Sequence, residues 1–308
     1  VAKVKSLRAR SHAKINLGLE VLGVRADGYH ELRTLFQTVD LHDDVTISLR
    51  PRSRTIEVGC DHPLVPEDES NLAHKAASAL RQFGRATGGV RIEIKKRIPV
   101  GGGLGGGSSN AAVVLMGLDR LWKLGLGPAG LHPLARRLGA DVPYFLVGGT
   151  ALGMARGDEV YPLYRQIRGH VVIANPGSPV STAAVFRRID ARLTPRENSN
   201  IIFRFASRDL DGSAWSLLTN DLEPAALEES PVLKARAGRI RGLLVRGGAL
   251  LAALSGSGSS YFGFFDDGAR ARRAVEALGE AGIEAWRART LSVAQYGRAW
   301  LSGITPLG

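Results

Sequence analysis

The sequence predicts a two-domain protein of mixed strands and helices, and three observations carry that expectation. Its 308 residues, at about 150 per domain, suggest two units, each long enough to bury a core. Runs that alternate apolar and polar residues are interspersed with runs at helical spacing. A glycine run joins a strand to a helix, and a second glycine-serine segment lies far downstream.

From Arg8 to Leu22 the chain alternates, with Ile15, Leu17 and Leu19 on one side and Lys14, Asn16 and Gly18 on the other, which predicts a strand with a polar face. Ala26 to His30 is a turn by its Asp-Gly pair, and Val39 to Leu49 reads as a second strand. Asn71 to Gln82 is helical by the spacing of Leu72, Ala76, Ala79 and Leu80. Val90, Ile92 and Ile94 alternate with charged residues in a strand that runs into Pro99 and the glycine run. Ala111, Val114, Leu115, Leu118, Leu121 and Trp122 then follow at helical spacing, so Ser108 and Ser109 stand at a helix start. A further helix, Ala129 to Leu138, ends at Gly139, a residue suited to the left-handed position past a helix end. Past residue 155 the pattern returns to a strand, His170 to Ala174, and then an Arg-rich stretch from Phe186 to Arg196 and a helix rich in Ala and Leu. Val245 to Leu254 leads into the second glycine-serine segment, Ala269 to Ala281 is helical, and Ala285 to Leu291 is the last strand. We expect the domain division between residues 155 and 156, with no internal repeat.

Composition excludes several classes. A single cysteine, Cys60, rules out an intramolecular disulfide framework and any multi-cysteine metal site, which fits a reducing cytoplasm. No charged segment followed by an apolar one opens the sequence, and no apolar run is long enough for a membrane span, so neither export nor a membrane partner is expected. The net charge of +12 says that the surface attracts anions. No RNP, KH or zinc-knuckle motif accompanies it, and at 6% aromatic residues there is little for a stacking platform, so nucleic acid is not the expected partner. The basic residues, mostly Arg, are spread along the chain.

Glycine is the sharper excess. Of the 38 glycines, six fall among the seven residues from Gly101 to Gly107. Without Cβ atoms, several backbone N–H groups can approach one anion, and the following helix adds its unpaired first-turn N–H groups and the positive end of its dipole. The arrangement is a phosphate cradle. No lysine follows the glycines, so it is not a P-loop. Gly101, Gly103 and Gly106 match G-x-G-x-x-G, but positions 121–129 hold no acidic residue for a ribose. A protein-kinase site would need H-R-D and D-F-G elements that are missing. A dinucleotide loop and an unliganded glycine turn stand as the alternatives.

The segment PVGGGLGGGSSNAA, with SHAKINLGL at Ser11 to Leu19 and LSGSGSS at Leu254 to Ser260, resembles the three motifs of the GHMP kinases in order and spacing. Further segments, DGYHEL from Asp27, FQTVDL from Phe36, GADVPYF from Gly139 and NDLEP from Asn220, are similar to those of the branch acting on 4-diphosphocytidyl-2-C-methyl-D-erythritol. The resemblance runs over nearly the whole chain. It implies an α+β fold with an N-terminal half like the second domain of ribosomal protein S5 and a ferredoxin-like C-terminal half. It also implies a cytoplasmic enzyme, monomer or homodimer, that phosphorylates the 2-hydroxyl of that substrate with ATP and Mg²⁺ in the non-mevalonate isoprenoid pathway.

By the same resemblance, Lys14 and Asp141 are catalytic, and ATP lies along Pro99, Val100, Gly101, Gly102, Gly103, Leu104, Gly105, Gly106, Gly107, Ser108 and Ser109. Tyr29 and Phe186 would flank the cytosine, His30 would hydrogen-bond its edge, and Asn16 would contact substrate. The resemblance does not assign the adenine site, for which Asn71 and Leu72 are candidate neighbours. Outside these motifs Asp141 would read as a cap near Pro143, Lys14 as a solvated charge, and the rings as packing. A carboxylate of ordinary pKa, about 3.9, is too weak a base to deprotonate an alcohol in advance, so Asp141 is expected to orient the hydroxyl and take its proton late. Three positions depart from the family pattern: His12 for Pro, Asn110 for Asp, and Ser259 for Pro.

Overall fold

The structure, a computed structural model, describes residues 6–84, 86, 88–190, 201, 215 and 218–302. Its first half is built on a long antiparallel pair, β1 (Ser6–Val24) and β2 (His30–Arg50). The free edge of β2 is shared: β4 (Gly89–Lys95) pairs with Asp44 to Arg50 and β5 (Thr150–Met154) with Thr34 to Gln37. β3 (Ile56–Cys60) adds in parallel to β4, and β6 (Glu159–Pro162) adds to β5, past the expected division at 155. Helices α1 (Leu72–Phe83), α2 (Gly106–Trp122) and α3 (Gly127–Leu138) cover one face. α1 begins where the sequence predicts, because the Asn71 side chain accepts a hydrogen bond from Ala73 N at 2.8 Å.

Gly139 is not the left-handed residue the sequence suggested. Its φ of 167° is extended, so the chain leaves α3 directly for Ala140 and Asp141 before a 3₁₀ turn at Pro143–Leu146.

The second half is a four-stranded antiparallel sheet of β7 (His170–Asn175), β8 (Leu251–Leu254), β9 (Tyr261–Phe265) and β10 (Glu284–Arg289), in the order β10-β7-β9-β8. That order, with the helices on one face, is the expected ferredoxin-like arrangement. The helices are α4 (Thr182–Asp190), α5 (Glu223–Glu229), α6 (Pro231–Arg246) and α7 (Gly268–Glu280). The Arg-rich stretch continues beyond α4, where it lies outside the described residues. A final helix, α8 (Val293–Ser302), returns to the first half, where Tyr296 Oη donates to Phe145 O at 2.5 Å.

The two sheets pack face to face. Val172 and Ala174 of β7 point to the second half's helices, while Val171 and Ile173 point to Ile15 and Leu17 of β1. Both faces of β7 and β9 are therefore buried, which explains the unbroken apolar runs VVIA and YFGFF.

An irregularity in β1 settles which residues meet this interface. Leu7 and Ala9 face the helices, but pairing with β2 shifts between His12 and Lys14, and beyond it Ala13 and Ile15 face the second sheet. The even-numbered Lys14 and Asn16 are thereby turned to the helix side, under the start of α2. The polar face expected of β1 exists, but it is buried in the molecule rather than solvated.

Candidate active site

The glycine run folds as a tight loop because its neighbours leave no room for side chains. Gly101, Gly103 and Gly105 all have φ near +70°, between 69° and 73°, where an L residue is strained. A Cβ on Gly103 would collide with the Ser255 carbonyl oxygen and lie 2.9 Å from Gly258 O. One on Gly105 would lie 2.8 Å from the Phe145 ring. The downstream segment, residues 254–260, is thus packed backbone to backbone on the loop. Ser260 N donates to Gly102 O at 3.1 Å and Ser255 Oγ to Gly103 O at 3.0 Å. Asn220 holds that segment in turn, its amide donating to Leu254 O and Gly256 O at 2.9 and 2.7 Å.

α2 starts at Gly106 with no side-chain cap, so its first N–H groups are left for an anion. The serines do not cap it. Ser108 lines the cavity described below, whereas Ser109 is fully buried and its hydroxyl accepts from Ser11 Oγ at 2.7 Å.

Lys14 stands directly beneath the loop, its backbone N–H donating to Leu104 O at 3.0 Å. Its ammonium donates to Asn16 Oδ1 at 2.6 Å and lies 3.4 Å from Asp141 Oδ2. Asn16 is fixed from the other side, donating to Thr34 Oγ1 at 2.7 Å, and Thr34 donates on to Gly18 O at 2.9 Å. The Lys14 side chain is 4% exposed and that of Asp141 33%, so a buried cation faces an accessible carboxylate. Asp141 caps nothing. Its loop is held by Tyr144, whose hydroxyl hydrogen-bonds with Thr38 Oγ1 at 2.6 Å and donates to Gly149 O at 2.7 Å.

A cavity of about 570 Å³ runs past these groups. Lys14, Asn16, Asp141, Phe186 and every loop residue from Pro99 to Ser108 line it, as do Asn71 and Leu72 at the start of α1. Tyr29 and His30 lie outside the lining. Tyr29 is 55% exposed in the turn after β1, where Gly28 has a φ of +80° and Asp27 Oδ1 accepts from Tyr29 N at 3.1 Å. That bond lowers the Asp27 pKa. The His30 ring rests on Phe186, with centroids 4.8 Å apart and planes tilted by 34°.

The structure adds lining residues that the sequence did not single out, among them Thr34, Lys96, Arg156 and Thr182. Lys96 is ion-paired with fully buried Asp43, which also accepts from Arg97 N and Ile98 N at 2.8 and 2.9 Å and from the Asn110 amide at 3.0 Å. Asn110, one of the departures, therefore supplies the donor this carboxylate needs. These contacts link positions 43, 96 and 110, and no local pattern announces them. Asp141 is the only carboxylate lining the cavity among the described residues.

Comparison with known proteins follows the same outline. The chain matches the GHMP kinases N terminal domain over residues 71–149 and the GHMP kinases C terminal domain over residues 207–284. It is 43% identical to the 4-diphosphocytidyl-2-C-methyl-D-erythritol kinase of Gloeobacter violaceus, covering 93% of this chain and 95% of that protein. It is 42% identical to the Solibacter usitatus protein of the same name, covering 94% and 90%. Among solved structures it is similar to a 4-(cytidine 5'-diphospho)-2C-methyl-D-erythritol kinase, with a TM-score of 0.73, 36% identity and coverage of 92% and 98%. A homoserine kinase from Cytophaga hutchinsonii, 20% identical with a TM-score of 0.71 and coverage of 93% and 95%, shares the fold.

Proposed function

The chain belongs to the GHMP kinase family, and on that premise we propose that it transfers the γ-phosphoryl group of ATP to the 2-hydroxyl of 4-diphosphocytidyl-2-C-methyl-D-erythritol. The observation that carries this reading is the meeting of Lys14 and Asp141 beside a glycine loop and an uncapped helix start in one cavity. The relatives' names supply the acceptor, and Phe186 in the lining, His30 packed on it and Tyr29 beside the lining residue Arg156 are the residues for its cytosine.

Phosphoryl transfer of this kind passes through a loose transition state, so catalysis is mainly alignment and charge stabilisation. The acceptor oxygen attacks the γ-phosphorus as the bond to the β–γ bridging oxygen breaks, and ADP leaves with that electron pair. Asp141 orients the hydroxyl and receives its proton as the new P–O bond forms. The Lys14 ammonium, held in place by Asn16, offsets charge on the transferring group. Loop N–H groups and the first turn of α2 hold the phosphates.

Mg²⁺ fits this lining as an ion carried in by ATP, since it needs only one or two protein ligands besides phosphate oxygens. With Asp141 committed to the acceptor hydroxyl, Ser108 is the lining group suited to it, and it would neutralise phosphate charge. The family resemblance puts the reaction in the cytoplasm, in a monomer or homodimer. No helix among the described residues is long and apolar enough to cross a membrane.

An ADP-release assay with the cytidylyl substrate tests the proposal. Turnover of that substrate is expected. Phosphorylation of homoserine or mevalonate with none of the cytidylyl compound would overturn the acceptor assignment.

A further inference from the structure

One charged assembly at the end of the cavity near Tyr29 has no part in the phosphoryl transfer derived above. Asp158 is fully buried, and its Oδ2 accepts from Arg156 Nε and Nη2 at 3.2 and 2.7 Å and from Arg136 Nε at 2.9 Å. Burial works to raise the Asp158 pKa, but the hydrogen bonds from the two arginines outweigh it and hold the carboxyl below its usual range. Two guanidinium groups share this one carboxylate, and of the three groups Arg156 is the one that lines the cavity, with the exposed Asp27 also near it. The neighbouring Arg25 and Arg33 are already spent on Glu31.

Arg156 is held on a second side as well. Its guanidinium carbon lies 4.6 Å from the centroid of the Tyr29 ring, within cation–π range. Arg156 lines the cavity and Tyr29 does not, so Arg156 is the member of this pair that a ligand in the cavity meets. Asp158 takes Nε and one N–H of Nη2, two of the five donors of a guanidinium, and Nη1 lies outside that pairing.

We propose that Arg156 is a substrate-binding residue that pairs with the diphosphate of the acceptor's nucleoside-diphosphate part. This rests on the reading above that Tyr29 borders the base. A planar fork fixed along one edge by Asp158 and on one face by Tyr29 is oriented before the ligand arrives, and such a fork matches phosphate oxygens. A guanidinium touching the ring that borders the base is within reach of the phosphates of the same nucleotide. No sequence motif marks it.

Calorimetric titration with cytidine diphosphate and with cytidine, the ATP site saturated by a non-hydrolysable ATP analogue, tests this on the wild type, Arg156→Gln and Arg156→Lys. Removal of a charge-assisted contact should weaken cytidine diphosphate about tenfold or more in Arg156→Gln, and cytidine by much less. Arg156→Lys keeps the charge without the fork and should fall between. Equal losses for both ligands would make Arg156 only a support for Tyr29, and unchanged cytidine diphosphate affinity would also overturn the proposal. Should Arg156→Gln fail to melt cooperatively, the lysine variant decides: selective weakening of cytidine diphosphate supports it, and none overturns it. A wild type that binds neither cytidine ligand yet phosphorylates another alcohol overturns the acceptor assignment, a different failure from wild-type affinity retained in the variants.

Discussion

His12 should make the protein lose stability in mild acid, and the size of the loss follows from its surroundings. The ring is 2% exposed, its nitrogens make no well-formed hydrogen bond among the described residues though the nearby Val39 and Asp40 backbone favours the charged form, and it lies against His42 and Tyr296 with centroids 5.3 and 5.7 Å away. Burial first, then the nearby His42 and Arg10, lowers its pKa from 6.5 to about 3. The folded protein keeps this ring neutral in a range where the unfolded chain protonates it. The unfolded state therefore binds more protons below 6.5, and stability falls as pH falls through that value, down to about 3. Each pH unit below the unfolded pKa costs about 1.4 kcal/mol, so moving from about pH 7.5 to about pH 5 should cost about 2 kcal/mol from this residue alone.

The comparison is His12→Leu, which keeps the packing volume and removes the titrating group. Urea unfolding followed by tryptophan fluorescence at both pH values gives the double difference. The wild type should lose about 2 kcal/mol more than the variant on acidification. If the two lose the same amount, His12 is not held neutral and the argument fails, because every other titrating group is common to both proteins.

Other consequences are as direct. Asp141→Asn and Lys14→Ala should each lose most of kcat while the KM for ATP changes little; a variant with near-wild-type turnover would remove that residue from the proposed chemistry. Gly103→Ala must displace the Ser255 carbonyl and holds an alanine in left-handed backbone, a strain of about 1–2 kcal/mol before any clash; ATP affinity should drop sharply by titration, and normal affinity would mean the loop adapts freely. Asp43→Ala leaves Lys96 buried without its partner, which should cost about 3–5 kcal/mol in chemical denaturation, whereas a loss under about 1 kcal/mol would show that water reaches the site.

What was legible in the sequence is what local pattern encodes. Alternation locates β4, an apolar run locates β7, helical spacing with Asn71 locates α1, and the glycine run stands where the cavity lies. β6 escaped because it is four residues long and owes its conformation to pairing with β5. The expected elements do not include α8, although Tyr296 and Trp300 bury one side of it against the first half. The site divides in the same way. Lys14, Asp141 and the loop were recognisable by motif, but Asn16–Thr34, Asp43–Lys96–Asn110 and Arg156–Asp158 are associations of strands and loops that only folding brings together. A hydroxyl at a helix start usually caps it, which is what the sequence suggests for the serines; here Gly105 makes the entry, and Ser109 turns inward to Ser11.

The irregular step in β1 divides the strand into two reading frames. Up to Ala9, odd positions form the floor under the helices; from Ala13 on, Ala13 and Ile15 join the halves of the molecule, and the even positions Lys14 and Asn16 become the working surface. Tolerance to substitution should therefore invert within a few residues of continuous strand, with no turn or break to warn of it. An alignment slipped by one residue here would assign the chemistry to the joint and the joint to the chemistry.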